Sequence, residues 1–183
     1  MAHDLFCLSF YLGGINLIDL LQVNFKGTDT LEYVRVKTRN TVVGTRTISF
    51  SIPEPAKVII DRWMNRNTGR LDFGYKFSYP NFSRYITRSL TTLSKNLGIT
   101  EKVVYYSARK SFAQYASEIG IPDGIIDYCL GHSDKSKGVI RYYTKVRQKQ
   151  ADMAISRVND YVEHPEKYKE YIELRSDIMM MRG

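Results

Sequence analysis

Cysteine is nearly missing from this chain: Cys7 and Cys129 are the only two in 183 residues. Two are too few for a disulfide scaffold or a structural zinc site, and they fit a reducing compartment. The three histidines, His3, His132 and His164, show no metal-ligand spacing with one another or with the cysteines. No apolar run approaches the ~18 residues of a membrane-spanning helix. Residues 5–12 are apolar but lack the basic start and small-residue cleavage site of a signal peptide, so the expected location is the cytoplasm. Gly13-Gly14 has neither the spacing nor the following Lys-Ser/Thr of a phosphate-binding loop, and no nucleophile elbow occurs. Low-complexity tracts and internal repeats are also missing. The usual cofactor-binding, hydrolase and metalloprotein signatures are therefore excluded.

What the chain does have is an uneven basic charge. The net charge is +8, but residues 31–110 alone carry +10, whereas residues 1–30 and 150–183 each stand at −2. A basic middle between acidic ends points to a polyanion-binding face. A hydrophobic content of 43% is that of a folded globular chain.

Periodicity gives a mainly helical α+β layout. Residues 2–13 read as a helix with Leu5, Leu8 and Leu12 on one face, broken by Gly13-Gly14. An apolar helical segment continues through Ile15, Leu17, Ile18, Leu20 and Leu21, interrupted by Asn16 and Asp19. Residues 31–37 alternate as a strand, with Glu32, Val34 and Val36 on one side and Tyr33, Arg35 and Lys37 on the other. After a turn region at 41–44, a second strand at 46–52 places Ile48, Phe50 and Ile52 on one face, and the two form a small antiparallel sheet. Helices then follow. One begins near Pro55 and carries Val58, Ile59, Trp63 and Met64. A second spans 81–97, and a third is capped by Ser107 and closed by Gly120. A short helix runs from Pro122 to Gly131, and others cover 139–145 and 148–162. A last one starts at Pro165.

The chemistry concentrates in residues 105–145. They read Tyr-Tyr-Ser-Ala-Arg-Lys-Ser-Phe-Ala, then a helix, then Cys-Leu-Gly-His-Ser-Asp, then Ile-Arg-Tyr-Tyr-Thr-Lys-Val. With Tyr33-Val-Arg-Val-Lys-Thr upstream, this ordered set resembles the catalytic core of the tyrosine recombinases, the phage-type integrases. The Gly13-Gly14-Ile15-Asn16 and Val-Lys-Thr segments look most like integrases of mobile elements in Bacteroides-type bacteria. The resemblance covers roughly residues 5–162, leaving 163–183 as a helical tail. It implies that 1–183 is one catalytic domain, and that the family's N-terminal DNA-binding domain is absent from this chain.

The implied activity is site-specific DNA recombination without metal or cofactor. A tyrosine attacks a DNA phosphodiester and stores the bond as a 3′-phosphotyrosyl link. Cationic fork donors and an imidazole must surround the charged transition state, and a lysine can protonate the leaving 5′ oxygen. The family match assigns Arg109 to the scissile phosphate, His132 to a hydrogen bond with it, and Lys37 to the general-acid role. Adjacent helical residues point about 100° apart, so only one of Tyr142 and Tyr143 can face the site. Tyr143-Thr144-Lys145 matches the family's tyrosine, and Tyr142 fills the apolar slot before it, so Tyr143 is the expected nucleophile.

Two positions depart from the pattern. The family's first arginine should stand at Gly13, and the first position of its His-x-x-Arg motif is here Tyr106, which can donate a hydrogen bond but carries no charge. Arg35, two residues before Lys37, is the expected substitute, with Gly13 leaving it room. Alternative readings are a DNA-binding relative without catalysis, marked by Gly13 and Tyr106, and a type IB topoisomerase-like nicking-closing enzyme. The family's members assemble on double-stranded DNA, as tetramers that pass a C-terminal segment to a neighbour. Residues 165–181 are therefore expected to pack on another protomer, or to fold back where the fragment is a monomer. Residues 31–149 carry +12, so DNA affinity should fall by orders of magnitude from low to physiological salt. Binding that stays flat in a fluorescence-anisotropy salt titration would remove the electrostatic argument.

Overall fold

The computed structural model of the chain describes residues 1–37, 47–74, 76, 78–132 and 148–181. Helix α1 (Ala2–Tyr11) ends where Gly13 and Gly14 turn the chain at φ +68° and +76°, a backbone region that side chains with a Cβ rarely enter. Its Leu5, Leu8 and Leu12 are buried as the spacing requires. A single turn, α2 (Leu17–Leu20), leads into β1 (Thr30–Val34), which pairs antiparallel with β2 (Thr47–Ser51). Leu31 faces Phe50 and Tyr33 faces Ile48 across the ladder, and these four side chains form the sheet's buried face. The expected turn at 41–44 lies outside the described residues.

Two backbone N–H groups of β2 are satisfied by side chains. The Tyr128 hydroxyl accepts from Ser49 N (2.9 Å) and donates to Ser49 O (3.1 Å), and Asp152 accepts from Ser51 N at 2.6 Å. Filling those groups pins the sheet to the two helices that carry Tyr128 and Asp152 and blunts an otherwise sticky strand edge.

Three of the later helices pack on α1. Helix α3 (Glu54–Trp63) buries Ala56, Ile59 and Ile60, whereas Val58, expected on its apolar stripe, is 61% exposed. Trp63 Nε1 donates to Asp4 at 2.8 Å and ties α3 to α1. Helix α4 (Tyr79–Asn96) buries Phe82, Ile86 and Leu90, while Leu97 just beyond its end is exposed. Helix α5 (Tyr105–Glu118) starts two residues before Ser107. Ser107 is therefore not the N-cap: it sits in the first turn and its Oγ accepts from Val104 N at 3.2 Å. Helix α6 (Asp123–Cys129) follows Pro122 and closes at Gly131, φ +65°. The expected helix at 139–145 lies outside the described residues. Helix α7 (Gln148–Glu163) packs on α5, α6 and β2.

Edge-on aromatic contacts run from Phe10 on α1 to Tyr115 on α5 (6.1 Å), on to Tyr161 on α7 (5.6 Å), and on to Tyr168 (5.3 Å). Tyr168 closes a 3-10 turn, Pro165–Tyr168, that leads into α8 (Lys169–Met180). The tail folds back on its own chain. The Tyr168 hydroxyl donates to Asp160 at 2.8 Å, Arg175 donates to Ser117 O at 2.9 Å, and Tyr168 and Ile172 pack against the core. Among the described residues no helix is long and apolar enough to cross a membrane. Phe112 is fully buried and meets Phe10 edge-on. Phe112→Ala should cost about 3–5 kcal/mol in urea unfolding, whereas Val58→Ala should stay within about 0.5 kcal/mol. Similar losses for both would mean that α1 and α5 do not share a tight core.

Candidate functional site

Four chain segments meet at one place: the turn after α1, the exit of β1, the first turns of α5, and the Leu130-Gly131-His132 turn after α6. The turn after α1 is stitched down first. Gly14 N donates to Ser9 O at 2.7 Å. The Ser9 and Tyr105 hydroxyls both donate to Ile15 O, at 2.8 and 3.0 Å.

Arg109 closes the arrangement. It projects from α5 with only 3% of its surface exposed. Its Nη1 donates to Gly14 O at 2.8 Å and its Nη2 to Leu130 O. A buried cation needs such dipoles, since removing it from water without them is prohibitive. Leu130 caps the C-terminal end of α6, where unpaired helix carbonyls favour positive charge. Burial, and then the charge of Arg35, lower the Arg109 pKa, while Tyr33 and a hydrogen bond with Tyr106 act the other way. Glycine is favoured at position 14: a Cβ there would lie 3.0 Å from both Cα and Cγ of Arg109, on a backbone at φ +76°.

Gly13 behaves differently. A Cβ at Gly13 would point at Cys129 (3.4 Å) and Ile155 (3.6 Å), toward the core and not toward Arg109. The expectation that Gly13 vacates space for a neighbouring guanidinium is therefore corrected. A side chain at 13 would start from a strained backbone, with its Cβ in van der Waals contact with Cys129 and Ile155.

Arg35 leaves the end of β1 half-buried and turns toward the same place. Its Nη1 lies 3.4 Å from Gly131 O, one residue beyond the carbonyl that Arg109 holds. The reason expected for this was wrong, however. Strand β1 stops at Val34, so alternation does not carry Arg35 and Lys37 onto one face. Asp19, 3% exposed, instead accepts from Val36 N at 2.8 Å and draws the backbone between them inward. Lys37 is exposed at the rim of this segment.

His132 is oriented twice by Asp127. Its backbone N donates to Asp127 O at 2.8 Å, and its Nδ1 lies 2.7 Å from Asp127 Oδ1. With Nδ1 as donor, Nε2 is the ring atom left for an incoming group. Tyr106 is 50% exposed. It is near enough to influence the Arg109 pKa, and the Lys110 ammonium lies 6.0 Å from its ring centre while Lys110 stays on the outer surface. Burial pushes the Tyr33 and Tyr105 phenols up, well out of the titrating range near neutrality. Tyr142 and Tyr143 lie outside the described residues.

Asp19, Ser9, Tyr105 and Asp127 are supporting residues that motif reading passed over. Only Asp19 left a signal, as a carboxylate inside an apolar run.

Compared with protein-family profiles, curated proteins and solved structures, the chain matches none. Gly14→Ala should destabilise the fold by about 1–3 kcal/mol through backbone strain and the Arg109 contact. Thermal melting measures this directly, and a wild-type Tm would show that the turn does not hold Arg109.

Proposed function

We propose that this chain is the catalytic domain of a tyrosine recombinase that breaks and rejoins double-stranded DNA at specific sites. One observation carries the reading. Arg109, Arg35 and His132 converge on a single turn after α6, beside the segment after β1 that carries Lys37, in a chain whose middle is strongly basic. Cations and an imidazole arranged around one point suit a phosphate that gains charge in its transition state.

In this mechanism the Tyr143 oxygen attacks the phosphorus and its phenolic proton passes to solvent. The bond from phosphorus to the 5′ oxygen breaks, and that oxygen takes a proton from Lys37. The product is a 3′-phosphotyrosyl linkage and a free 5′-hydroxyl. Attack by a 5′-hydroxyl of another strand reverses the step and releases the tyrosine. No net bond energy is lost, so no cofactor enters. His132 hydrogen-bonds a non-bridging oxygen and Arg109 supplies charge behind it. Assembly on DNA is proposed to use the tail: Leu174, Ile178 and Met181 on or next to α8 are exposed apolar groups at a spacing that suits a neighbouring protomer.

A second reading, a DNA-binding relative without strand transfer, is favoured by the glycine at position 13, which supplies no cation where the family has its first arginine. Covalent capture separates the two. A library of nicked duplexes with randomised sequence is incubated with the protein and denatured, and protein-linked strands are recovered. The wild type should yield adducts. Tyr143→Phe should abolish them while leaving salt-sensitive DNA binding intact, and Tyr142→Phe should retain them. Binding without any adduct would favour the second reading, and loss only in Tyr142→Phe would move the nucleophile by one residue.

A further inference from the structure

Helix α7 turns one face to a groove that the strand-transfer site does not use. Asp152, Ile155, Ser156, Asn159, Asp160 and Glu163 line it, at spacings of three and four that put them on a single side of the helix. The opposite wall is the chain leaving β2 for α3, with Ile52, Pro53 and Pro55 as its apolar part. The groove holds about 410 Å³, within the ~300–1,000 Å³ of ligand sites. None of its lining side chains is a cation, so a polyanion such as DNA is repelled from it.

Its negative charge is only half balanced. Glu54 pairs with Lys57 at 2.8 Å, and Asp160 lies 3.4 Å from Lys167. Asp152 and Glu163 have no ion-pair partner among the described residues. They stand at the two ends of the row, about 16 Å apart along the helix axis. Between them Asn159 is 7% exposed, and neither its Nδ2 nor its Oδ1 has a hydrogen-bond partner. A buried carboxamide left unpaired is costly. Because it holds nothing where it lies, it can turn toward an occupant without breaking a bond, offering a donor and an acceptor side by side.

We propose that this groove binds an extended peptide segment of another protein, with a lysine or arginine near each end. A peptide unit presents one N–H and one C=O, the complement of the Asn159 amide. A polyamine or a lone ammonium has donors only and would leave Nδ2 without an acceptor. Asp152 and Glu163 take the two cations. Five extended residues cover about 16 Å, and their alternation sends the first, third and fifth side chains to one side. The first and fifth are then the cations, and the third is an apolar side chain over Ile52 and Ile155.

The probe is a blocked, fluorescein-labelled pentapeptide, Lys-Thr-Val-Thr-Lys, titrated into the full chain and followed by anisotropy. It should bind saturably, and the same peptide with glutamate at both ends should not bind. Asn159→Leu, similar in size and without polar atoms, should keep or raise the Tm and bind about tenfold more weakly. Glu163→Gln, at an exposed carboxylate, should weaken binding about threefold. N-methylation at each of the three inner residues keeps the peptide's charge, and at one of them it should cost about tenfold. These methylated peptides use the wild-type protein and so decide the matter even if Asn159→Leu fails to fold. Absence of saturable binding overturns the proposal, and so do equal affinities for all the methylated peptides or for wild type and Asn159→Leu. Spermidine that displaces the label as well as unlabelled peptide also overturns it, since a site of that kind does not read the peptide backbone. Self-association of the wild type that Glu163→Gln abolishes in analytical ultracentrifugation would make a second copy the occupant and overturn it too.

Discussion

The Arg109 guanidinium joins three parts of the chain that are remote in sequence. From α5 it holds the carbonyl of Gly14, 95 positions earlier, and that of Leu130, 21 positions later. Both carbonyls belong to turns where a helix has ended, so both would otherwise be buried acceptors without donors. The cation in turn would be intolerable at that depth without them. Each side of this contact needs the other, and the positions of Ile15, Tyr105 and His132 follow from it. Gly14 is the point where the constraint is felt in the sequence, because a Cβ there would crowd the Arg109 stem at 3.0 Å.

The sheet is placed by the same kind of exchange, using side chains as partners for backbone. Tyr128 and Asp152 take the ladder groups of β2, and Asp19 takes Val36 N at the exit of β1. A two-stranded hairpin alone is marginal in water. Here its apolar face meets the core and its polar edges are held by two helices and a turn. The orientation of Arg35 and the exposure of Lys37 thus depend on a carboxylate buried beneath the segment that carries them.

Much of this was legible in the sequence where one physical rule acted alone. The strand at β2 obeyed its period because Ile48 and Phe50 are driven by burial, and Gly131 ended α6 because the turn needs positive φ. Reading failed where a long-range hydrogen bond overrode the local pattern. Alternation put Arg35 and Lys37 on one face, but the strand ends at Val34, before either residue, and Asp19 holds the backbone at Val36. Ser107 has the chemistry of an N-cap, yet the helix begins earlier and uses its hydroxyl from within. Gly13 and Gly14 look equivalent as letters, and only packing distinguishes the one that faces Cys129 from the one that faces Arg109. The convergence of Arg109 and His132 was available from motif order. The convergence of Arg35 was expected for an incorrect reason, and Asp127 and Tyr128 left no signal that spacing could reveal.

An arrangement that gathers cations at a turn is unfavourable for the unliganded protein, and the structure shows how that cost is limited. Carbonyl dipoles at the end of α6 stand where an anion's charge would be. They are strong enough to keep Arg109 protonated and folded inward, but they are neutral, so they cannot cancel two positive charges. A phosphate can. In a poorly solvated place a full negative charge interacts with a guanidinium more strongly than a dipole does, which is the physical basis of the proposed phosphate site. Arg109, tied to two backbone carbonyls, keeps the geometry of the turn by itself.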